Sequence, residues 1–285
     1  MAIGAAGFHH PLVRAAKALQ QKKHRRTERC FLVEGPNAVG AALDAGAPLR
    51  HLFFTRGPAH EPVTALAERA ASKGIDVYEV DARTLDALTQ TSTPQGIVAV
   101  AGFLEHPIAE ISKLSREEAP ALMLVLHDLA DPGNAGTLVR TAEAFGASAV
   151  CFGPSAVDPY NDKLVRASAG ALFRVALFTY DSWPEFAAAA HDAKVSIVAA
   201  AAGCADVRHV TCGTRVAIVI GHERHGLRDI NAADIVQSVG IPQSAQAESL
   251  NAGVAGSIVL YEISRSTGVL GLITRERESE KSQAP

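Results

Sequence analysis

Apolar residues along this chain alternate between helical and extended spacing in two successive series. In PLVRAAKALQ (11–20) they recur every three to four residues, which marks one helical face, whereas RCFLVEG (29–35) reads as a strand entering a turn. Pro36 suits the first turn of a helix to about Ala45, with Gly46 as its stop. LRHLFFT, IDVYEV and GIVAVAGF predict further strands, with EPVTALAERAASKG, ended by Gly74, and a shorter DARTLDALTQ as helices between them. The charged, proline-bearing stretch 105–120 reads as a linker.

A second series opens at Ala121. ALMLVLHDL is an almost continuous apolar strand, the pattern of a parallel strand buried on both faces. NAGTLVRTAEAFG predicts a helix closed by Gly146, with Asn134 at its start, where its side chain can cap the helix or fix a loop, and SAVCFG the next strand. A loop, GPSAVDPYND, leads to a helix in KLVRASAGALF. Strands in RVALFTY, VSIVAAAA, TRVAIVIG and IVQSVGI surround a helix in WPEFAAAAHDAK, and SLNAGVAGSIVLYEISRS is the long last helix. The expected organisation is α/β: a small domain over 1–104, a linker over 105–120, a mostly parallel sheet domain over 121–274 and a disordered tail over 275–285.

At 48% hydrophobic and only 5% aromatic residues, the chain builds its core from Ala, Val, Leu and Ile, which suits α/β layers. Its four cysteines form no C-x-x-C pair, so neither a disulfide framework nor a zinc site is expected. No apolar run is long enough to span a membrane, and a soluble cytoplasmic protein is the expectation. A net charge of −3 argues against a general nucleic-acid binder, but its distribution changes the picture. Between residues 14 and 29, Arg14, Lys17, Lys22, Lys23, Arg25, Arg26 and Arg29 face Glu28 alone. Such a patch binds phosphates even on an acidic body; the competing reading is a solubilising helix end.

Ligands of open α/β sheets collect beyond the C-terminal ends of strands. Three segments have that placement: 131–146, GHERHGL (221–227) and GIPQSAQAESLN (240–251). Arg140 sits in an otherwise small and apolar helix, either as a surface residue or aimed at a ribose or phosphate. His222 and His225 are three apart, where a zincin helix needs four, so no metal is expected. Gly221 and Gly226 suit a loop bent close around a ligand, or merely a tight turn. Ser249 and Asn251 can cap the last helix or hold a substrate hydroxyl. Neither G-x-G-x-x-G after the first strand nor G-x-x-x-x-G-K-S/T occurs, which counts against a nucleotide-dependent oxidoreductase and a P-loop enzyme.

Taken in order, N134-A-G-T-L-V-R140, D158-P-Y-N-D-K163-L-V-R166-A-S168-A-G170, I218-V-I-G-H-E223-R-H-G226-L227 and I241-P-Q-S-A-Q-A-E-S249-L-N251 resemble the SpoU/TrmH family of the SPOUT superfamily. Its members methylate the ribose 2′-hydroxyl of RNA with S-adenosylmethionine. Less sharply, K23-H-R-R-T-E-R-C-F-L-V-E34-G35 resembles the ribosomal-protein-like RNA-binding domain that many members carry. The resemblance implies a C-terminal deep trefoil knot, which sequence physics alone argues against, and a homodimer with the active site near the subunit interface. It implies catalytic roles for Arg140, Asn134, Glu223, Ser249 and Asn251, and a cofactor pocket of Ala200, Ala201, Gly221, His222, Gly226, Ile241, Gln243 and Leu250. RNA would be held by Lys22, Lys23, Arg25, Arg26, Arg29, Lys163 and Arg166, with structured ribosomal RNA as the expected substrate. Two departures touch the pocket: His222 stands where members commonly have Asn, and Gln243 where they have an apolar residue. Arg140 is read as a charged stabiliser of the developing alkoxide rather than a base, because a guanidinium keeps its proton. The alternative function is a non-catalytic RNA-binding protein of the same fold, which cofactor titration separates.

Overall fold

The computed structural model describes residues 3–57, 61–114, 120–246 and 249–271. It divides into two compact units: Met1–Leu104 with Asp158–Arg174, and Glu105–Val157 with Val175–Pro285. The expected tail over 275–285 lies outside the described residues.

The first unit is built on a five-stranded mixed sheet in the order β1 (Gly4–Ala5), β4 (Asp76–Glu79), β3 (Leu49–Phe54), β5 (Ile97–Gly102), β2 (Cys30–Glu34). β5 lies between two antiparallel partners and is buried along its whole length, as its unbroken apolar run IVAVAG requires. Helices α1 (Pro11–Ala18), α2 (Lys22–Glu28), α3 (Pro36–Asp44), α4 (Glu61–Ser72) and α5 (Ala82–Asp86) complete it. Proline opens α1 and α3 at the position where its missing N–H costs nothing.

The segment 158–174, expected within the second domain, belongs to this first unit. The reason is local chemistry. Asp158 pairs with Arg25 at 2.7 Å, and the Tyr160 ring stacks on Phe103 and tilts against Phe31. Gly170 runs so close to α3 that a Cβ there would sit 2.6 Å from that of Ala41. The segment forms α7 (Asp162–Ala167), capped by the Asn161 side chain, and a 3₁₀ turn over Ala171–Phe173.

The second unit holds a seven-stranded sheet, parallel at every pairing among the described residues, in the order β12 (Ile235–Gly240), β10 (Ser196–Asp206), β11 (Arg215–Ile220), β7 (Ala121–Leu126), β8 (Ala149–Phe152), β9 (Ala176–Thr179), β6 (His106–Pro107). β7 and β11 are buried at all six positions, and each Leu, Met or Val so buried contributes about 1.5–3 kcal/mol. The connecting helices are α6 (Pro132–Ala144), α8 (Trp183–Asp192) and α9 (Ala252–Ser266). The stretch 105–120 is not simply a linker. It supplies β6 and a 3₁₀ helix over Ile108–Leu114, and Ile108 and Ile111 join the main core cluster, so two apolar anchors inside a polar composition hold it to the sheet.

Candidate functional site

The C-terminal ends of β10, β11 and β12 open into a cavity of about 410 Å³. Its walls come from three returns of the chain: Ala200–Ala202 along β10, Gly221–Arg224 with Gly226 after β11, and Gly240 at the end of β12 with Ile241 and Gln243 after it; Ser249, Leu250 and the start of α9 close it. All eight residues expected to hold a cofactor, Ala200, Ala201, Gly221, His222, Gly226, Ile241, Gln243 and Leu250, line this one cavity, as do Glu223 and Ser249.

The local reasons are visible in the backbone. Val239 is the register partner of both Ala200 and Ala205, so β10 bulges away between them and re-joins β12; the strand extends to Asp206 rather than ending with VSIVAAAA. Gly240 packs under that bulge, where a Cβ would lie 2.8 Å from the Ala201 carbonyl oxygen. The segment after β11 closes on itself, since His222 and Gly226 exchange two backbone hydrogen bonds of 2.9 Å. Gly226 takes the left-handed φ of 64° that this requires. Gly221 has no room for a side chain, because a Cβ would stand 2.4 Å from the Gly226 carbonyl oxygen. His222 Nδ1 accepts the Arg224 N–H at 3.0 Å, which turns the ring within the loop.

Three polar residues from distant parts of the chain meet beside the cavity. Asn251 Nδ2 donates to Asn134 Oδ1 at 3.0 Å, while Asn251 Oδ1 caps α9 by accepting the Val254 N–H at 3.2 Å. Glu223 accepts the Asp131 N–H at 3.1 Å and the Ala130 N–H at 3.4 Å, tying the loop after β11 to the loop after β7. Burial pushes the Glu223 carboxyl up. The amides of Glu223 itself, Asp131 and Ala130, with the Asn134 side chain, outweigh it and hold the group below its ordinary value. Asn134 is not the cap of α6, because the helix begins at Pro132 and Asp131 accepts the Asn134 N–H at 2.7 Å. Asn134 is thereby placed inside the first turn with its amide free to reach Asn251.

Arg140 projects from the exposed face of α6 and makes no hydrogen bond or ion pair among the described residues. It does not line the cavity. The expected RNA-holding residues also separate. Lys22, Lys23, Arg26 and Arg29 are exposed, as is Lys163 on α7. Arg25 is buried, and its guanidinium is consumed by Asp158 and by the carbonyls of Leu19 and Gln20, which removes it from an RNA-facing set. Arg166 is half-buried and paired with Glu34 at 3.5 Å and Asp162 at 3.0 Å, so it is not a loose phosphate ligand either.

Sequence reading missed a buried brace behind the site. His127, at the end of β7, donates through Nε2 to the Arg228 carbonyl at 3.0 Å, and its Nδ1 meets the Tyr180 hydroxyl at 2.8 Å. Burial holds the Tyr180 phenol far above its ordinary range, with Cys151 and Asp128 adding to it, so the hydroxyl stays neutral and donates. The clue was a lone histidine closing the apolar run ALMLVLH.

A cavity at the C-terminal edge of a parallel sheet, walled by main chain and small residues and bordered by Asn134, Glu223 and Asn251, defines a ligand-binding α/β enzyme domain. Residues 121–261 match the SpoU rRNA Methylase family, and residues 10–99 match the MRM3-like substrate binding domain. An uncharacterized tRNA/rRNA methyltransferase of Mycobacterium tuberculosis is 32% identical over 261 residues, covering 90% of this chain and 81% of its own. Another, from Mycolicibacterium gilvum, is 32% identical over 264 residues, with 90% and 84% covered. Among solved structures, an AdoMet-bound rRNA methyltransferase from Sinorhizobium meliloti superposes with a TM-score of 0.79 at 29% identity, over 90% of this chain and 95% of that one. An RNA 2′-O ribose methyltransferase superposes with a TM-score of 0.74 at 29% identity, over 93% and 98%. The chain belongs to the SpoU rRNA methylase family.

Proposed function

We propose that this protein transfers the methyl group of S-adenosylmethionine to a ribose 2′-hydroxyl of RNA, with ribosomal RNA as the substrate. The observation that carries the reading is the convergence of every expected cofactor residue on one cavity, with Asn134, Glu223 and Asn251 joined beside it. The residues fit the cofactor: the volume of about 410 Å³ lies within the range of small-molecule sites, and the lining offers main-chain groups, small apolar side chains and a few polar ones. Bound there, S-adenosylmethionine supplies an electrophilic methyl group on a positively charged sulfur.

The chain's own work is to activate a poor nucleophile. A neutral hydroxyl needs its developing negative charge stabilised or its proton removed. A guanidinium is a lasting cation, and Arg140 takes the stabilising role; Asn134 and Asn251 orient the ribose, and Ser249 lines its approach. Glu223 positions these groups by holding the loop over 130–131 against the loop after β11. Misplacement by about 1 Å costs on the order of 100-fold in rate, which is the value of so many crossed anchors. A trefoil knot, in which α9 follows chain drawn through a loop, accounts for three separate returns walling one cavity.

Arg140 acts within a homodimer. Support comes from an exposed apolar stripe on and before α9: Leu250 (38%), Val254 (49%), Ile258 (37%) and Tyr261 (42%). The first unit binds the RNA through Lys22, Lys23, Arg26, Arg29 and Lys163, whose phosphate contacts give salt-dependent affinity. The test is transfer of labelled methyl from the cofactor to total cellular RNA, followed by mapping of the 2′-O-methyl position. Arg140→Ala should lower turnover by at least about 100-fold with cofactor affinity unchanged. Absence of transfer to any RNA, or a fully active variant, would refute the assignment.

A further inference from the structure

The first unit contains a second cavity, of about 290 Å³, that the methyl-transfer chemistry does not use. It is walled by the end of β2 and start of α3 (Glu34, Gly35, Asn37, Ala38), by the loop before β5 (Thr91, Thr93, Gln95) and by the end of α7 (Arg166, Ala169). We infer that this cavity is a base-recognition subsite, taking one unpaired nucleobase of the RNA substrate. The inference rests on the RNA reading above and adds where and by what chemistry the first unit selects its strand.

The charged groups at the floor are already committed. The Glu34 carboxylate accepts from the Thr91 hydroxyl, from the Gln90 N–H and from the Arg166 guanidinium, which also pairs with Asp162. With one carboxylate and one guanidinium the lining is neutral, so it offers a phosphate no net attraction. Around this satisfied pair stand exposed polar groups that are open to solvent and so available to a ligand. The side chains of Asn37, Thr93 and Gln95 make no hydrogen bond among the described residues. Two amides and a hydroxyl present donors and acceptors side by side, the complement of a nucleobase edge rather than of an anion. Unpaired bases of RNA are read on these edges and are stacked on aromatic rings or on arginine planes; here Arg166 is the planar group available.

The backbone keeps the space open. Gly35 has a φ of 92°, and a Cβ there would lie 2.6 Å from Gln95 Oε1, so any larger residue would displace the amide. On the opposite wall Ala169 adopts a φ of 50°, a left-handed conformation that alanine rarely takes, next to Gly170 at 86°. The next residue, Gly170, runs close against Ala41 of α3 and is not part of the lining.

The test uses the full-length protein and labelled single-stranded RNA decamers: U10, and the same strand with its two central residues changed to A, C or G. Fluorescence anisotropy gives the affinity for each at several salt concentrations. The wild type should discriminate between the best and worst decamer by about tenfold, the range of one good bidentate contact. In Asn37→Ala/Gln95→Ala this spread should fall to within about twofold, while the slope of affinity against salt and the unfolding midpoint stay unchanged. Lys22→Ala/Lys23→Ala should do the reverse, flattening the slope and keeping the spread. A wild type without base preference, or a double alanine variant that retains it, overturns the subsite. If methyl transfer to RNA still occurs, only the subsite falls; if none occurs, the RNA reading falls with it.

Discussion

Arg25 separates two physical accounts of the basic stretch. As an RNA ligand its loss would weaken binding and leave the fold alone; as found, it is structural. Its side chain is 6% exposed and that of Asp158 10%. Nε and one terminal nitrogen donate to Asp158 Oδ2 at 3.1 and 2.7 Å, and the other terminal nitrogen donates to the Leu19 and Gln20 carbonyls, each at 3.0 Å. Arg25→Met keeps most of the apolar stem but leaves a nearly buried carboxylate without its cation and two carbonyls without their donor. Breaking one partner out of a buried pair costs about 3–5 kcal/mol. For a unit of this size that is roughly 10–20 °C in the unfolding midpoint.

Urea titration followed by far-ultraviolet circular dichroism measures the loss. Asp158→Asn tests the same bond from the other side. The double variant Arg25→Met/Asp158→Asn should lose at least about 2 kcal/mol less than the two single losses combined, because no unpaired charge is left behind. An Arg25→Met protein with an unshifted midpoint but RNA affinity reduced as in Lys22→Ala would refute the reasoning, since the guanidinium would then face solvent.

Further expectations concern the second unit. Gly221→Ala places a methyl 2.4 Å from the Gly226 carbonyl oxygen, so the loop must open, and calorimetric titration should show cofactor affinity down by at least about tenfold; a change within twofold would count against the loop's role. The Glu223 carboxyl is held below its ordinary value, so its contribution is complete above the unfolded value of about 4.3 and disappears as pH falls through the lower folded one. The stability gap between wild type and Glu223→Gln should therefore be constant from pH 7 down to about 5 and shrink in more acid solution, and a gap that widened there would contradict the sign. Val254→Asp puts a charge in the exposed stripe of α9 and should yield a monomer by light scattering, with methyl transfer lost; an active monomer would remove the dimer from the mechanism.

Much of this was legible in sequence wherever one local signal decides one element. The unbroken run ALMLVL announces a buried central strand, whereas the helical pattern places the start of α6 at Asn134, two residues late, although Asp131 before Pro132 carries a capping signal of its own. Where composition stands in for contact, legibility fails. In KKHRRTE every residue is polar, so nothing marks Arg25 as the buried one; its partner lies 133 positions away. Ile108 and Ile111 are among a few scattered apolar residues in a charged stretch, too few to outvote it, yet both are buried in the core. Segment 158–174 follows the second unit's strands in chain order but obeys the aromatic contacts and the ion pair that hold it to the first.

Arg140 is exposed in the single chain, so the role proposed for it depends on what covers that face of α6. α6 and α9 are joined along their length: Asn134 to Asn251 at 3.0 Å, Thr141 to Ser257 at 3.0 Å, and the Phe145 and Tyr261 rings at 5.3 Å between centroids. These bonds fix the exposed face of α6 relative to the apolar stripe of α9. A guanidinium standing in water would stabilise an alkoxide weakly, since solvent screens it; the same group beside an excluded, apolar surface acts at far greater strength. A second copy seated on Val254, Ile258 and Tyr261 would supply that exclusion. If the proposed dimer sets the strength of the proposed catalytic charge, Arg140→Ala and Val254→Asp should lower the rate by non-additive amounts when combined.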